Sequence, residues 1–171
     1  KFWESRAKKD FQIEPLDLFI CKTTKDNIIY SEETNKIVRQ IEGDIAYLDP
    51  PYSVTQYASA YHVLETIARY DFPFIKGVGG KRDKGKNVSL YSRKQLAINQ
   101  FEDLFRQIKF NHILLSYSNQ SIVELDELVQ LAQKFAVNNK VYIEELNYKE
   151  YKNHRSSNKG NGKKLKEVII Y

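Results

Sequence analysis

The feature that most constrains this chain is a short apolar segment, Asp44 to Leu48, that runs directly into Asp49-Pro50-Pro51-Tyr52. The segment reads as a buried strand. Consecutive prolines lack amide donors and have a fixed φ, so no strand ladder continues through them and the strand ends there. A carboxylate, two rigid residues and an aromatic ring then stand at its C-terminal end. In an open α/β sheet that end is where ligands sit.

The rest of the chain supplies the elements for such a sheet. Lys1 to Lys9 is a charged, helix-compatible start, followed by an apolar stretch around Leu16, Leu18, Phe19 and Ile20. Asn27 to Tyr30 is β-prone, and Asn35 to Ile41 reads as a short helix. Tyr57 to Tyr70 places Tyr61, Leu64, Ile67 and Ala68 at helical spacing. Residues 76–93 read as a loop, with Gly77, Gly79, Gly80 and Gly85 among Lys76, Lys81, Arg82, Lys84, Lys86 and Arg93. Gln95 to Ile108 is an amphipathic helix with Leu96, Phe101, Leu104, Phe105 and Ile108 on one face. His112 to Tyr117 reads as a second buried strand and Ser121 to Phe135 as a third long helix. Lys140 to Tyr148 and Leu165 to Tyr171 alternate like strands, joined by a polar loop over Asn153 to Lys164. This order predicts an α/β fold whose sheet is mostly parallel, with an antiparallel strand at one edge.

Composition narrows the class. At 171 residues with 42% apolar and 13% aromatic content, one domain, or most of one, can form a packed core. A net charge of +5 and a pI near 9.1 suit a polyanionic partner, although ordinary solubility charge explains them as well. Cys21 is the only cysteine, which excludes a disulfide framework and a cysteine-cluster zinc site and fits the cytoplasm. No apolar run approaches the roughly 20 residues that span a bilayer. Lys1 leads the chain and methionine is absent, so the sequence reads as a fragment.

The four residues at the strand end have a specific chemical competence. The Asp49 carboxylate is a hydrogen-bond acceptor, and the Pro50 carbonyl is a second whose direction the adjacent prolines fix. Two preorganised acceptors suit an amino group with two hydrogens, held without reorganisation during reaction. Tyr52 offers a face on which a base can stack, worth about 1–3 kcal/mol per base. The plain alternative is that Pro-Pro only ends the strand and Tyr52 packs in the core.

The stretch from Gly43 to Asp71, GDIAYLDPPYSVTQYASAYHVLETIARYD, closely resembles adenine-specific DNA methyltransferases of the FokI-like, Dam-related type, in which Asp-Pro-Pro-Tyr is catalytic motif IV. The similarity continues through Ile75-Lys76-Gly77, through LLSYSN at Leu114 to Asn119, and into the ending from Val141 to Tyr171. The opening WESRAKK resembles the segment after that family's cofactor half. The resemblance implies a Rossmann-like methyltransferase fold, S-adenosyl-L-methionine as methyl donor, and duplex DNA as substrate within a restriction–modification system. It leaves room for a cognate restriction endonuclease as partner.

Residue by residue, it implies that Asp49 and Pro50 bind the target amine and Tyr52 stacks on the base. It implies that Asp49 and Glu33 face the cofactor, Glu33 standing where the family more often carries Asp. A solvent-exposed glutamate at a helix start is the plain alternative for Glu33. The family's Gly-rich cofactor loop is not in this chain, and Gly77, Gly79 and Gly80 do not replace it, since they follow Asp49 within a basic loop. The chain therefore reads as the catalytic part, residues 1–171, of a methyltransferase domain.

The implied reaction explains the residue types. The N6 lone pair of adenine is delocalised into the ring, so the planar amine is a poor nucleophile. Acceptors on both hydrogens draw it towards tetrahedral geometry. The base cannot be reached inside a duplex and must be extruded. Tyr57, Lys76, Lys81, Arg82, Lys84 and Lys86 are the candidate nucleic-acid contacts, with phosphates as the natural target of the cations. Tyr61, His62 and Glu65 would share the crevice if a helix starts near Tyr57, and Ser116, Ser118 and Asn119 either order the site or make a strand-end turn. Lys152, Arg155, Lys159, Lys163 and Lys164 form a weaker second basic loop. Two other readings stand beside the first: a ribosomal-RNA amino methyltransferase, and a non-catalytic DNA-binding module.

Overall fold

A computed structural model describes residues 27–78, 80–83, 88–146 and 166–171 of the protein. The charged start, the segment around Leu16 to Ile20 and the Asn153 to Lys164 loop lie outside them. The described residues fall in two units, one holding Asn27–Tyr30 and the other beginning at Ser31. Asn27–Tyr30 carries no regular structure and is exposed, so the β-prone run there forms no strand.

The second unit is a mixed α/β layer. Its four-stranded sheet contains β1 (Glu42–Leu48), β4 (Lys109–Ser118), β6 (Glu167–Ile170) and β5 (Ile143–Leu146), in that spatial order. β1 and β4 pair in parallel, with Ala46 opposite Ile113 and Leu48 opposite Leu115. β6 pairs antiparallel with both β4 and β5, so β1, β4 and β5 point one way and β6 alone is reversed. The antiparallel strand is thus not at an edge, as the element order had suggested, but between β4 and β5. Burial explains the order. Val168 and Ile170 of β6 alternate into the core, whereas all four residues of β5, including Glu144 and Glu145, are exposed. The apolar strand takes the interior and the charged one the rim, where charge also discourages edge pairing.

The α-helices are α1 (Thr34–Ile37), which precedes β1, and α2 (Tyr57–Ala60), α3 (His62–Arg69), α4 (Ala97–Gln107) and α5 (Leu125–Gln133), which lie between strands. α4 turns Ala97, Phe101, Leu104 and Phe105 inward at helical spacing, and α5 adds Leu128 and Leu131. They close on Leu115, Tyr117, Val168 and Ile170 from the sheet. Phe101 meets Phe105 at 6.1 Å and Tyr117 edge-on at 5.7 Å. Burying such a ring stabilises by about 1.5–3 kcal/mol.

Only one face of β1 shares in this core. Ala46 is buried and Leu48 packs against the cluster, but Ile45 and Tyr47 are 60% and 63% exposed. The strand expected to be buried is buried on one side, because no described element covers the other. The helix expected over Tyr57 to Tyr70 is also divided. Tyr61, with φ −106° and ψ 36°, separates α2 from α3. Tyr61, Leu64 and Ile67 are exposed rather than packed, and the partly buried face of α3 carries His62, Glu65 and Thr66 instead. The basic loop is partly ordered as a hairpin of β2 (Ile75–Lys76) and β3 (Lys81–Arg82), and a 3₁₀ turn follows at Leu90–Ser92. Gly77 and Gly80, at φ +74° and +56°, make its turn in a region that side chains rarely enter.

Candidate active site

Parallel pairing puts the C-terminal ends of β1 and β4 side by side, and the reversal of β6 brings its first residue to the same edge. Ser118 is paired in register with Glu167, which also faces Leu146 of β5. Asp49 follows β1 directly and is exposed, while Pro50, Pro51 and Tyr52 are half-buried. The sheet therefore gathers Asp49, Pro50, Tyr52 and Glu167 from two distant parts of the chain.

Tyr52 is held from three sides. Its carbonyl accepts the Ile122 amide at 2.9 Å, tying the motif to the loop after β4. Its ring stands edge-on to Tyr117, with centroids 6.3 Å apart and planes at 78°. Its hydroxyl donates to the carboxylate of Glu167. Tyr117 is fixed in turn, since its hydroxyl accepts the Val123 amide at 3.3 Å and burial raises its pKa. Tyr52 is thus half-buried, packed against the core cluster with its side chain partly accessible.

Glu167 is the site residue that sequence reasoning missed. Burial pushes its carboxyl pKa up; the Tyr52 hydrogen bond acts the other way, and the negative charge of Asp49 adds to the rise. Nothing local marks this glutamate, and only the strand register puts it beside Asp49.

The β4 end is braced by turn chemistry. Ser118 is fully buried, and its hydroxyl accepts the Gln120 amide at 3.2 Å. Its carbonyl accepts the Ser121 hydroxyl at 2.6 Å. Asn119 donates its amide to the Lys166 carbonyl at 3.1 Å and accepts the Lys166 amide at 2.9 Å, which fixes the entry to β6 and hence Glu167.

Glu33 is the exposed N-cap residue of α1, with its carboxylate 3.6 Å from Lys36. That is the helix-start position, and no strand precedes it among the described residues. The adjoining Asn35 is buried, donating to Asp103 at 2.8 Å and to the Gln100 carbonyl at 3.1 Å while accepting the Tyr91 hydroxyl at 2.7 Å. Burial, then the charge of Asp103, pushes the Tyr91 pKa up.

Tyr57 opens α2, exposed, with its ring 5.9 Å from that of Tyr61. His62 is half-buried, and its Nδ1 has no hydrogen-bond partner among the described residues. Lys76, Lys81 and Arg82 meet at a pocket of about 400 Å³, which Val54, Gln56 and Ser59 also line. Lys84 and Lys86 lie outside the described residues.

Residues 1–131 match the family model of the D12 class N6 adenine-specific DNA methyltransferases. Over its whole length the chain is 58% identical to the modification methylase LlaI of Lactococcus lactis subsp. lactis, of which it covers 28%. It is 36% identical to the type II methyltransferase M.FokI of Planomicrobium okeanokoites, covering 26% of that protein, and 34% identical to the modification methylase StsI of Streptococcus sanguinis, covering 25%. It thus spans about a quarter of the length of these relatives. No solved structure matches it. With Asp-Pro-Pro-Tyr at the end of β1 and a family match across most of its length, the chain belongs to the D12 class N6 adenine-specific DNA methyltransferases.

Proposed function

We propose that the chain is the catalytic part of a site-specific enzyme that methylates N6 of an extruded adenine in duplex DNA, within a restriction–modification system. The observation that carries this reading is the exposed Asp49 carboxylate beside Pro50 and Tyr52, at the sheet edge where α/β folds bind ligands. The names of the relatives, all modification methylases or type II methyltransferases, favour DNA over the ribosomal-RNA alternative and catalysis over a binding module. The direction of the strands, three one way and β6 reversed, supports a Rossmann-like methyltransferase sheet.

S-adenosyl-L-methionine, when bound, supplies the methyl group as a sulfonium electrophile. Asp49 and Glu33 are the residues of this chain assigned to its side of the crevice. Asp49 and the Pro50 carbonyl accept the two N6 hydrogens, so the nitrogen is drawn towards tetrahedral geometry and its lone pair out of conjugation with the ring. Tyr52 stacks on the extruded base, its ring steadied by Tyr117 and its hydroxyl by Glu167. Tyr57, Lys76, Lys81, Arg82, Lys84 and Lys86 are assigned to DNA, the cations to phosphates.

The test is methyl transfer by the intact protein from labelled S-adenosyl-L-methionine to duplex DNA and, separately, to ribosomal RNA. N6-methyladenine in DNA is expected. Label found in RNA alone, or in neither polymer, would overturn the proposal.

A further inference from the structure

Arg82 differs from the other cations around it. Its side chain is only 10% exposed, although it belongs to a two-residue strand of a surface hairpin. Nη2 pairs with the Asp71 carboxylate. Nη1 is buried and has no hydrogen-bond partner among the described residues. A buried guanidinium nitrogen left unpaired is costly, because it has lost its water without replacement. The backbone of Arg82 is held too: its carbonyl accepts the Ser59 hydroxyl from α2 at 3.3 Å.

Arg82 lines the 400 Å³ pocket, together with Lys76, Lys81, Gln56, Ser59 and Asp83. Asp83, exposed, lies 3.5 Å from Lys76 and offsets that lysine. Lys81 is exposed and has no ion-pair partner among the described residues. Val54 lines one wall, two residues after Tyr52, so their Cα atoms are at most about 7 Å apart. An exposed lysine and a rigid guanidinium with spare donors suit a tetrahedral oxyanion. Arg is the stronger of the two because its planar fork is already set in place.

We propose that this pocket is a seat for one DNA backbone phosphate next to the extruded adenine, with Arg82, oriented by Asp71, as its main ligand and Lys81 as its second. This rests on the functional reading above and sharpens it, for it separates one positioned contact from the diffuse charge of the hairpin. Extrusion rotates a nucleotide about its flanking phosphates, so a clamp on one of them fixes the axis of that rotation.

The experiment uses the intact protein and duplexes in which one phosphate at a time is replaced by a neutral methylphosphonate, with the methylated adenine mapped beforehand using the wild-type protein. Neutralising one phosphate beside that adenine is expected to weaken wild-type binding about tenfold, as for loss of one charged hydrogen bond. The same probe should have a much smaller effect on Arg82→Gln, only the Lys81 contact being left to lose, while Lys81→Gln, at an exposed position, should reduce the probe's effect to a lesser extent. If Arg82→Gln and the neutral phosphate are additive at every position, Arg82 only braces the hairpin and the proposal falls, though the enzyme reading survives. If the wild-type protein methylates no DNA, both fall.

Discussion

The Tyr52 hydroxyl donates a hydrogen bond to the carboxylate of Glu167, joining the catalytic motif to the first residue of the last strand. This bond gives Tyr52 a second function beside its ring. The ring meets Tyr117; in the proposed mechanism it offers the stacking face, and the hydroxyl sets the angle at which that face is presented. Tyr52→Phe keeps the ring and should lower methyl transfer less than tenfold, the order of one hydrogen bond. Tyr52→Ala should lose about 1–3 kcal/mol of stacking and capture of the adenine with it. A fluorescent base analogue at the target position reports the difference. Equal losses in the two variants would show that the hydroxyl, not the ring, is what matters.

In the proposed mechanism, Asp49 is the residue on which the chemistry turns. Asp49→Asn puts an amide, with two donors, where acceptors are required. Methyl transfer should fall at least about a hundredfold, as when a preorganised group is removed from other sites. DNA affinity should stay near wild type, as filter binding on the same duplex will check.

Glu167 carries a pH signature. Its carboxyl pKa in the folded chain is raised above the ordinary value of 4.5, first by burial. A raised acid favours its protonated form, so its contribution to stability is complete below 4.5 and is lost as pH rises through the folded value. Glu167→Gln removes the ionisation while keeping an acceptor for Tyr52. The Tm of the variant relative to wild type should therefore increase as pH rises from below 4.5 to neutrality. A difference that stays flat over that window would mean the carboxyl is not perturbed.

Lys76 and Lys81 differ in their surroundings, and salt should reveal it. Lys76 lies 3.5 Å from Asp83, whereas Lys81 has no ion-pair partner among the described residues. Lys81→Gln should flatten the log–log salt dependence of DNA binding by about one unit, and Lys76→Gln by less. Affinity measured across a salt series decides; identical slopes for wild type and Lys81→Gln would assign Lys81 to solvent.

The core gives a stability prediction. Phe101 is 1% exposed between Tyr91, Phe105 and Tyr117. Phe101→Ala should destabilise by about 3–5 kcal/mol, the usual range for deleting a buried aromatic ring. Urea denaturation of the intact protein measures it.

The sequence by itself determined what local physics controls. Paired prolines end β1 before Asp49 whatever the surroundings, and helical spacing places Phe101, Leu104 and Phe105 on the buried face of α4. Local chemistry, the Asp49 carboxylate, the Pro50 carbonyl and the Tyr52 ring, together with the motif's resemblance to a known family, made these three residues the candidates for amine and base. Tertiary structure decided what depends on competition between distant segments. Strand order is one such matter: β6 lies inside because Val168 and Ile170 bury more apolar surface than the exposed β5 does, a comparison no window of sequence makes. The break at Tyr61 and the exposure of Ile45 and Tyr47 depend on which elements cover them. Glu167 enters the site through register alone, and Arg82 becomes a buried, half-partnered guanidinium only because α2 and Asp71 close around a hairpin that its composition marks as charged loop. Proline geometry and periodicity act over a few residues, whereas burial and register are settled by the whole folded chain at once.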